Sequence, residues 1–516
     1  MREHALGKVV VGNIIVTAAA RFPDQLAFHC ASTGRRVTFR DVNERCNRLA
    51  NALAGLGLIK GDVAAFLCSN RIEMPEIYFA LAKSGIVGIP LNYRLAPAEM
   101  VELMRAMGAK ALIYEARFDG CAMHVREQLP DVLHYVAIGA AAPPLGTAYE
   151  TLLANAGGGE PPTVIDEGDA YYYNLTSGTT GLPKSYVVTQ FSNGSISSFG
   201  LALDMNRQDV ALTVLPMFGR IGVAWLLTSV IYGIPNVVAN FDPAEALRLI
   251  QQERVTICNL VPTMAAMLLA SERLQTTDLS SLRAIVFAGS VLPAPIRDQT
   301  MANLCPDIYE YYGMQETGAL AYSTPQDRRL RPDSVGRAGL FSEFRVVGAD
   351  DRPVEAGEIG EIIGRSPNTV TSYFQNPAKT AETFRNGWVH TGDLGSIDTE
   401  GFLYIRGRKK DMIITGGQNV HSAEVEELLL RHEAVADCAV IGLPDDVWGE
   451  QVAAVVVAKA GATVDGHSLQ AFCRERLAGF KTPKRLFFQT EPLPRTGTGK
   501  VQKFVLVERY TQASME

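Results

Sequence analysis

The sequence predicts an α/β protein: a large N-terminal domain of mostly parallel sheets covered by helices, a small antiparallel β subdomain within it, and a small α+β C-terminal domain. Three observations carry this. Short β-branched runs, among them Val63-Ala-Ala-Phe-Leu67, Ala111-Leu-Ile-Tyr114, Val210-Ala-Leu-Thr-Val-Leu215 and Ala284-Ile-Val-Phe287, alternate with apolar helical patterns. Between Gly336 and Arg365 the pattern changes to a meander: Phe344-Arg-Val-Val347, a turn at Asp350-Asp351-Arg-Pro, then Gly360-Glu-Ile-Ile-Gly364. Finally, Gly407-Arg-Lys-Lys410 separates the strand pattern Gly401–Arg406 from the strand pattern Asp411–Thr415, which leads into the charged helix Ala423–Leu430. Domains of residues 1–409 and 410–516 follow from that boundary. Strands at Ala439–Ile441 and Val452–Ala458 and a helix around Leu469–Leu477 furnish the second domain.

A chain of 516 residues is too long for one core. With 47% hydrophobic and 20% charged residues it reads as a globular enzyme rather than a disordered chain. A net charge of −7 argues against nucleic acid or an anionic membrane as partner. Eight scattered cysteines without C-x-x-C spacing give neither a zinc site nor a disulfide framework, which suits a reducing cytoplasm. Cys258, inside an apolar run, reads as core. Gly12 and Asn13 interrupt the apolar stretch after Lys8, against a secretion signal, and Gly233-Ile-Pro235 divides the uncharged run Ile221–Ala239 into a helix and a strand rather than a membrane span.

The chemistry concentrates in a loop after the β-prone run Ala170–Leu175: Thr176-Ser-Gly-Thr-Thr-Gly-Leu-Pro-Lys-Ser185. Backbone N–H groups freed by Gly178 and Gly181, hydroxyls from Thr176, Ser177, Thr179 and Thr180, and the charge of Lys184 suit a polyphosphate. Leu182-Pro183 separates glycine from lysine, so this is not a Walker loop. Downstream, in fixed order, stand Tyr311-Tyr-Gly-Met-Gln-Glu-Thr317, Trp388-Val-His-Thr-Gly-Asp393, Gly407-Arg-Lys-Lys-Asp411 and Pro494-Arg-Thr-Gly-Thr-Gly-Lys500. Together these motifs resemble the adenylate-forming superfamily of acyl-CoA synthetases, aryl-CoA ligases, peptide-synthetase adenylation domains and luciferases, over nearly the whole chain from Ala18-Ala-Ala-Arg-Phe-Pro23 onward.

The resemblance implies ATP, Mg²⁺ and coenzyme A as cofactors and a large ATP-binding domain hinged to a small mobile lid. It implies that Glu316, with Thr176, holds Mg²⁺, that Thr317 donates to the α-phosphate, and that Tyr312 beside Gly313 stacks on adenine. Ala288, Gly289 and Ser290 would border adenine and acyl pocket. Asp393 would clamp both ribose hydroxyls, with Arg408 reaching the ribose or the phosphates. Lys500 is the implied catalytic lysine, joined by Lys184 on the phosphates. The lid would turn about Lys410, and Gly416 and Gly417 would form the pantetheine tunnel.

Three departures from the family pattern stand out. Ser185 replaces a glycine, Gln315 lies beside the acyl site where it would read the acid, and Gly219 in Leu215-Pro-Met-Phe-Gly-Arg-Ile-Gly222 stands where His or another aromatic is usual. The acyl pocket expected is Phe218, Gly219, Trp225, Gly289 and Gln315, with open volume left at Gly219. The reading is an AMP-forming carboxylic acid:CoA ligase for a medium- or long-chain fatty acid, working with small molecules in the cytoplasm, as a homodimer if oligomeric. Alternatives are an aryl-acid CoA ligase, a ligase that loads a stand-alone carrier protein, and a nucleotide-binding regulator that has lost turnover.

Overall fold

The computed structural model describes residues 7–176, 184–459, 461–462, 464–495 and 500–512. Its alternating pattern folds into two large sheets. The first has the order Arg337–Ala338, Gly318–Ser323, Ile308–Met314, Ala284–Phe287, Ile257–Leu260, Ala211–Thr213, Asn236–Val238, Leu26–Cys30, Arg36–Thr38. Its central pairings are parallel, and antiparallel strands close both edges. The second has the order Thr147–Ala148, His134–Ile138, Ala109–Glu115, Val63–Leu67, Val87–Pro90, Ala170–Thr176, Lys184–Thr189, parallel except for the final hairpin. Strands such as Val63–Leu67 and Ala284–Phe287 are buried on both faces, the reason they read as continuous apolar runs.

A helix buried along its whole length, Glu73–Ser84, lies in the core that joins these sheets. Tyr78 donates from its phenol to the Met217 carbonyl at 2.8 Å. Asn70 also ties the sheets together, donating to the carbonyls of Leu215 and Ala239, each at 2.9 Å, and accepting from the Met217 N–H at 2.9 Å. The segment leading to Gly219 is thereby fixed in place.

The helix Val11–Arg21 runs straight through Gly12 and Asn13, so these residues do not interrupt it. Packing of its apolar face against the helices Phe39–Gly55, Glu73–Ser84 and Arg220–Tyr232 overrides their weak helix propensity. The uncharged run divides as expected into the helix Arg220–Tyr232 and the strand Asn236–Val238, with Gly233 as the left-handed cap (φ 66°). Among the described residues no helix is long and apolar enough to cross a membrane.

The meander is an antiparallel sheet of Glu343–Val347, Gly360–Arg365, Trp388–Ile397, Phe384–Arg385 and Leu403–Arg408. Beyond it, Lys409–Asp411 forms one 3₁₀ turn. Strands Met412–Thr415, Gln418–His421, Val435–Asp445, Gly449–Ala458 and Arg485–Gln489 then make a separate sheet, covered by the helices Ser422–Leu430 and Gly466–Arg474.

Candidate functional site

The site residues sit beyond the carboxyl ends of neighbouring parallel strands, where an open α/β sheet leaves a crevice. Ala211–Thr213 leads to Gly219, Ile257–Leu260 to Val261, Ala284–Phe287 to Ala288-Gly289-Ser290, and Ile308–Met314 carries Tyr312 and Gly313. Gly313 lies at a register shift against the next strand, and a Cβ there would stand 2.0 Å from the Gly318 carbonyl oxygen. Gly289 adopts φ +87°, and its α-carbon faces Val261 and Ile221, whose methyls would lie 3.5 and 3.6 Å from an added Cβ. Two aliphatic side chains thus face the bare backbone at Gly289.

Glu316 is buried, and its Oε1 accepts from the Tyr373 phenol at 2.6 Å. Burial and the neighbouring carboxylate push the Tyr373 phenol well above its ordinary pKa, so it remains a donor. Thr317 is fully buried, its hydroxyl accepting from the Met314 N–H at 3.2 Å and donating to the Gly318 carbonyl at 2.8 Å.

Asp393 and Arg408 are register partners on adjacent strands, with Nε 3.0 Å from Oδ1. The Tyr312 phenol, pushed up by burial and by the Asp393 charge, donates to the other carboxylate oxygen at 2.9 Å. A carboxylate offers about four lone-pair positions. Two are used here, leaving one on each oxygen for a pair of vicinal hydroxyls.

Lys500 enters this space from the C-terminal part. Burial first, then the charge of Arg408, lowers the pKa of its ammonium, while Asp393 and Glu316 oppose that shift. The Lys500 ammonium thus lies within electrostatic reach of Arg408, Asp393 and Glu316, and Lys410 adds to the local positive potential. Gly416 (φ 55°) and Gly417 (φ 75°) occupy the turn between Met412–Thr415 and Gln418–His421. The Gly416 N–H donates to the Trp448 carbonyl at 2.8 Å, and among the described residues nothing lies within 4 Å of a Cβ built on Gly417.

The backbones of Thr176 and Lys184 end the two strands of a hairpin. Ser177, Gly178, Thr179, Thr180 and Gly181 lie outside the described residues.

Two of the residues expected to line an acyl pocket are engaged within the protein. Trp225 is packed into the core, its indole N–H on the Leu212 carbonyl at 3.1 Å and its ring edge-on to Phe199, because it lies on the face of its helix that covers the sheet. Gln315 turns inward, its Oε1 accepting from Asn174 at 2.7 Å and from the Tyr186 phenol at 2.8 Å, so that oxygen is committed within the protein. Phe218 packs edge-on against Tyr93, with ring centroids 5.3 Å apart. Among the described residues, a Cβ at Gly219 would meet only the Pro216 carbonyl oxygen, at 3.5 Å.

Sequence reasoning passed over Tyr373 and Arg220. The one charged residue in the apolar stretch around Gly219 was a visible signal for Arg220; Tyr373 stands in no motif that would single it out.

The chain is similar to known proteins in sequence and fold. Residues 15–374 match the family model of the AMP-binding enzymes, and residues 424–500 match that of the AMP-binding enzyme C-terminal domain. The chain belongs to the AMP-binding enzyme family. It is 34% identical to the long-chain-fatty-acid–CoA ligase FadD13 of Mycobacterium tuberculosis, covering 97% of this chain and 98% of that one. It is 36% identical to an indoleacetate–CoA ligase of Aromatoleum aromaticum, covering 94% and 93%. The crystal structure of the anthranilate CoA ligase AuaEII in complex with anthranoyl-AMP superimposes with a TM-score of 0.91 at 28% identity, covering 98% of each chain.

Proposed function

We propose that this protein is an ATP-dependent, AMP-forming carboxylic acid:CoA ligase acting on a medium- or long-chain fatty acid. The observation that carries the reading is the Asp393 carboxylate held by Arg408 at 3.0 Å and by the Tyr312 phenol at 2.9 Å, with the Lys500 ammonium within electrostatic reach of it.

In the first half-reaction a carboxylate oxygen attacks the α-phosphorus of ATP and pyrophosphate leaves. An anion attacking a polyanion is repelled, so the site has to neutralise charge and align the reactants. Asp393 holds the ribose through its free lone pairs, while Tyr312 and Arg408 keep the carboxylate in position. Lys500 places positive charge on the acid carboxylate and the α-phosphate, and Lys184 with Thr176 and the rest of the 176–185 loop serves the outer phosphates.

Mg²⁺ suits the donor set: a buried carboxylate with one oxygen oriented by Tyr373 is a hard-oxygen ligand, and Mg²⁺ commonly takes one or two protein carboxylates plus phosphate oxygens. When bound there through Glu316, it neutralises phosphate charge.

In the second half-reaction the CoA thiolate attacks the acyl carbon and AMP leaves. Lys500 has to vacate the site for this, and rotation of residues 410–516 about Lys410 provides the exit while bringing Gly416-Gly417 to the thiol path. The aliphatic wall of Val261 and Ile221 and the space at Gly219 favour an alkyl chain; the likeness to indoleacetate and anthranilate ligases makes the aryl acid the second reading. Eight unpaired cysteines accord with a cytoplasmic setting. The test is pyrophosphate release over aliphatic acids of graded length, benzoates and cinnamates, with free CoA compared against a phosphopantetheinylated carrier. Preference for octanoate and longer acids with CoA supports the reading, and preference for aryl acids or for the carrier replaces it.

A further inference from the structure

Arg220 is a buried cation, 6% exposed, at the first turn of the helix Arg220–Tyr232. Among the described residues no carboxylate lies within ion-pair distance of it. Its guanidinium instead donates to two main-chain carbonyls, one NH₂ to Gln315 and the other to Asn368.

These carbonyls flank Glu316 on two chain segments that are otherwise laced together. The Val370 N–H donates to the Glu316 carbonyl at 2.8 Å, and the Ser366 hydroxyl donates to the Thr317 carbonyl at 2.6 Å. Asn368 is anchored in turn by its side-chain amide, which donates to the Ser192 carbonyl and, at 3.2 Å, to the Ser195 hydroxyl. Arg220 is the tie that binds this pair of segments to the helix beginning at Gly219.

A neutral donor would suffice to bridge two carbonyls. A guanidinium, permanently charged and expensive to bury without an anion, makes sense where an anion arrives later. The loop it holds is the one that carries Glu316, the carboxylate proposed above to hold Mg²⁺. We propose that Arg220 is a positioning residue for MgATP: it fixes the main-chain path of residues 315–317 through the Gln315 and Asn368 carbonyls, and its buried charge is balanced when the triphosphate binds. The proposal rests on the ligase reading for the identity of the nucleotide. Its consequence is that Arg220 acts more strongly on MgATP binding than on the step from acyl-AMP to acyl-CoA, in which the metal and the outer phosphates have left.

The test is calorimetric titration of the full-length protein with MgATP, acid and CoA absent, for the parent, Arg220→Lys, Arg220→Met and Asn368→Ala, with melting temperatures recorded for each. Loss of charge-assisted bonds predicts MgATP binding weakened by about tenfold or more in Arg220→Met and by about threefold in Asn368→Ala, with Arg220→Lys in between because it keeps the charge and loses the fork. Conversion of synthetic acyl-AMP and CoA should fall by a smaller factor than MgATP binding does in Arg220→Lys and Asn368→Ala. The proposal is overturned if Arg220→Met binds MgATP as the parent does. It is also overturned if the variants lose both half-reactions equally, as a general packing defect would make them do. Should Arg220→Met not fold, parental MgATP binding in both Arg220→Lys and Asn368→Ala overturns it. A parent that binds MgATP yet activates no acid would remove the ligase reading and leave the role of Arg220 in place.

Discussion

Arg408 and Asp393 face each other across the last two strands of the antiparallel sheet, Nε 3.0 Å from Oδ1, with the Tyr312 phenol on the opposite carboxylate oxygen at 2.9 Å. Asp393→Asn removes the charge and half of the acceptor capacity. The expected outcome is a rise of about tenfold or more in KM for ATP, the scale of a charge-assisted hydrogen bond, accompanied by weaker use of synthetic acyl-AMP because the ribose is present in both half-reactions. Tyr312→Phe should show the same pattern several-fold more mildly. Steady-state kinetics of each half-reaction checks both.

Lys500→Ala should separate the half-reactions. Adenylation is expected to fall about 10²-fold or more, as for the loss of one charge-stabilising donor, with thioester formation from synthetic acyl-AMP largely retained. Equal losses would show that Lys500 serves both steps or neither.

The lowered pKa of Lys500 gives a pH signature. A lysine depressed by burial and by Arg408 becomes neutral at lower pH than a free lysine, so the charged form needed for adenylation is lost as pH rises through that lowered value. The kcat/KM profile for adenylation should therefore have an alkaline limb earlier than an ordinary lysine gives, and Lys500→Arg should displace it upward. A profile unchanged by Lys500→Arg would assign the limb to another group.

Lys410→Pro fixes φ in the turn Lys409–Asp411, the proposed hinge, and also removes one positive charge from the neighbourhood of Lys500. Acyl-AMP should still form and accumulate while transfer to CoA slows. Gly417→Leu should block the same second step, because Gly417 has open space around its α-carbon, although its positive φ adds strain of its own. Quenched-flow measurement of enzyme-bound acyl-AMP distinguishes these outcomes from loss of the first step.

Gly219 has φ −93° and, among the described residues, one neighbour near an added Cβ, so a side chain is accepted there without backbone strain. If an alkyl chain passes this point, each buried methylene adds about 0.8 kcal/mol, close to fourfold in affinity. The expected result is kcat/KM that rises with chain length over several carbons, and a flatter rise in Gly219→Trp with short acids little changed. Unchanged length dependence in Gly219→Trp would place the chain elsewhere.

Much of this protein is written locally. Strands buried on both faces announce themselves as β-branched runs, and the break at Gly233-Ile-Pro235 is read directly because a left-handed glycine and a proline end a helix whatever surrounds them. The resemblance carried by Glu316, Asp393, Arg408 and Lys500 likewise needs only residue order. What the sequence left open depends on partners distant along the chain. Trp225 was expected at the pocket and lies in the core, because the sheet that its helix covers decides which face is buried. The inward turn of Gln315 requires Asn174 and Tyr186, well over a hundred residues away. Arg220 looked like one charge in an apolar stretch, and its meaning appears only when folding brings the Gln315 and Asn368 carbonyls to its two ends. Local conformational preference and motif order are properties of neighbours in sequence, whereas burial and hydrogen-bond satisfaction belong to neighbours in space, and only the tertiary structure supplies those.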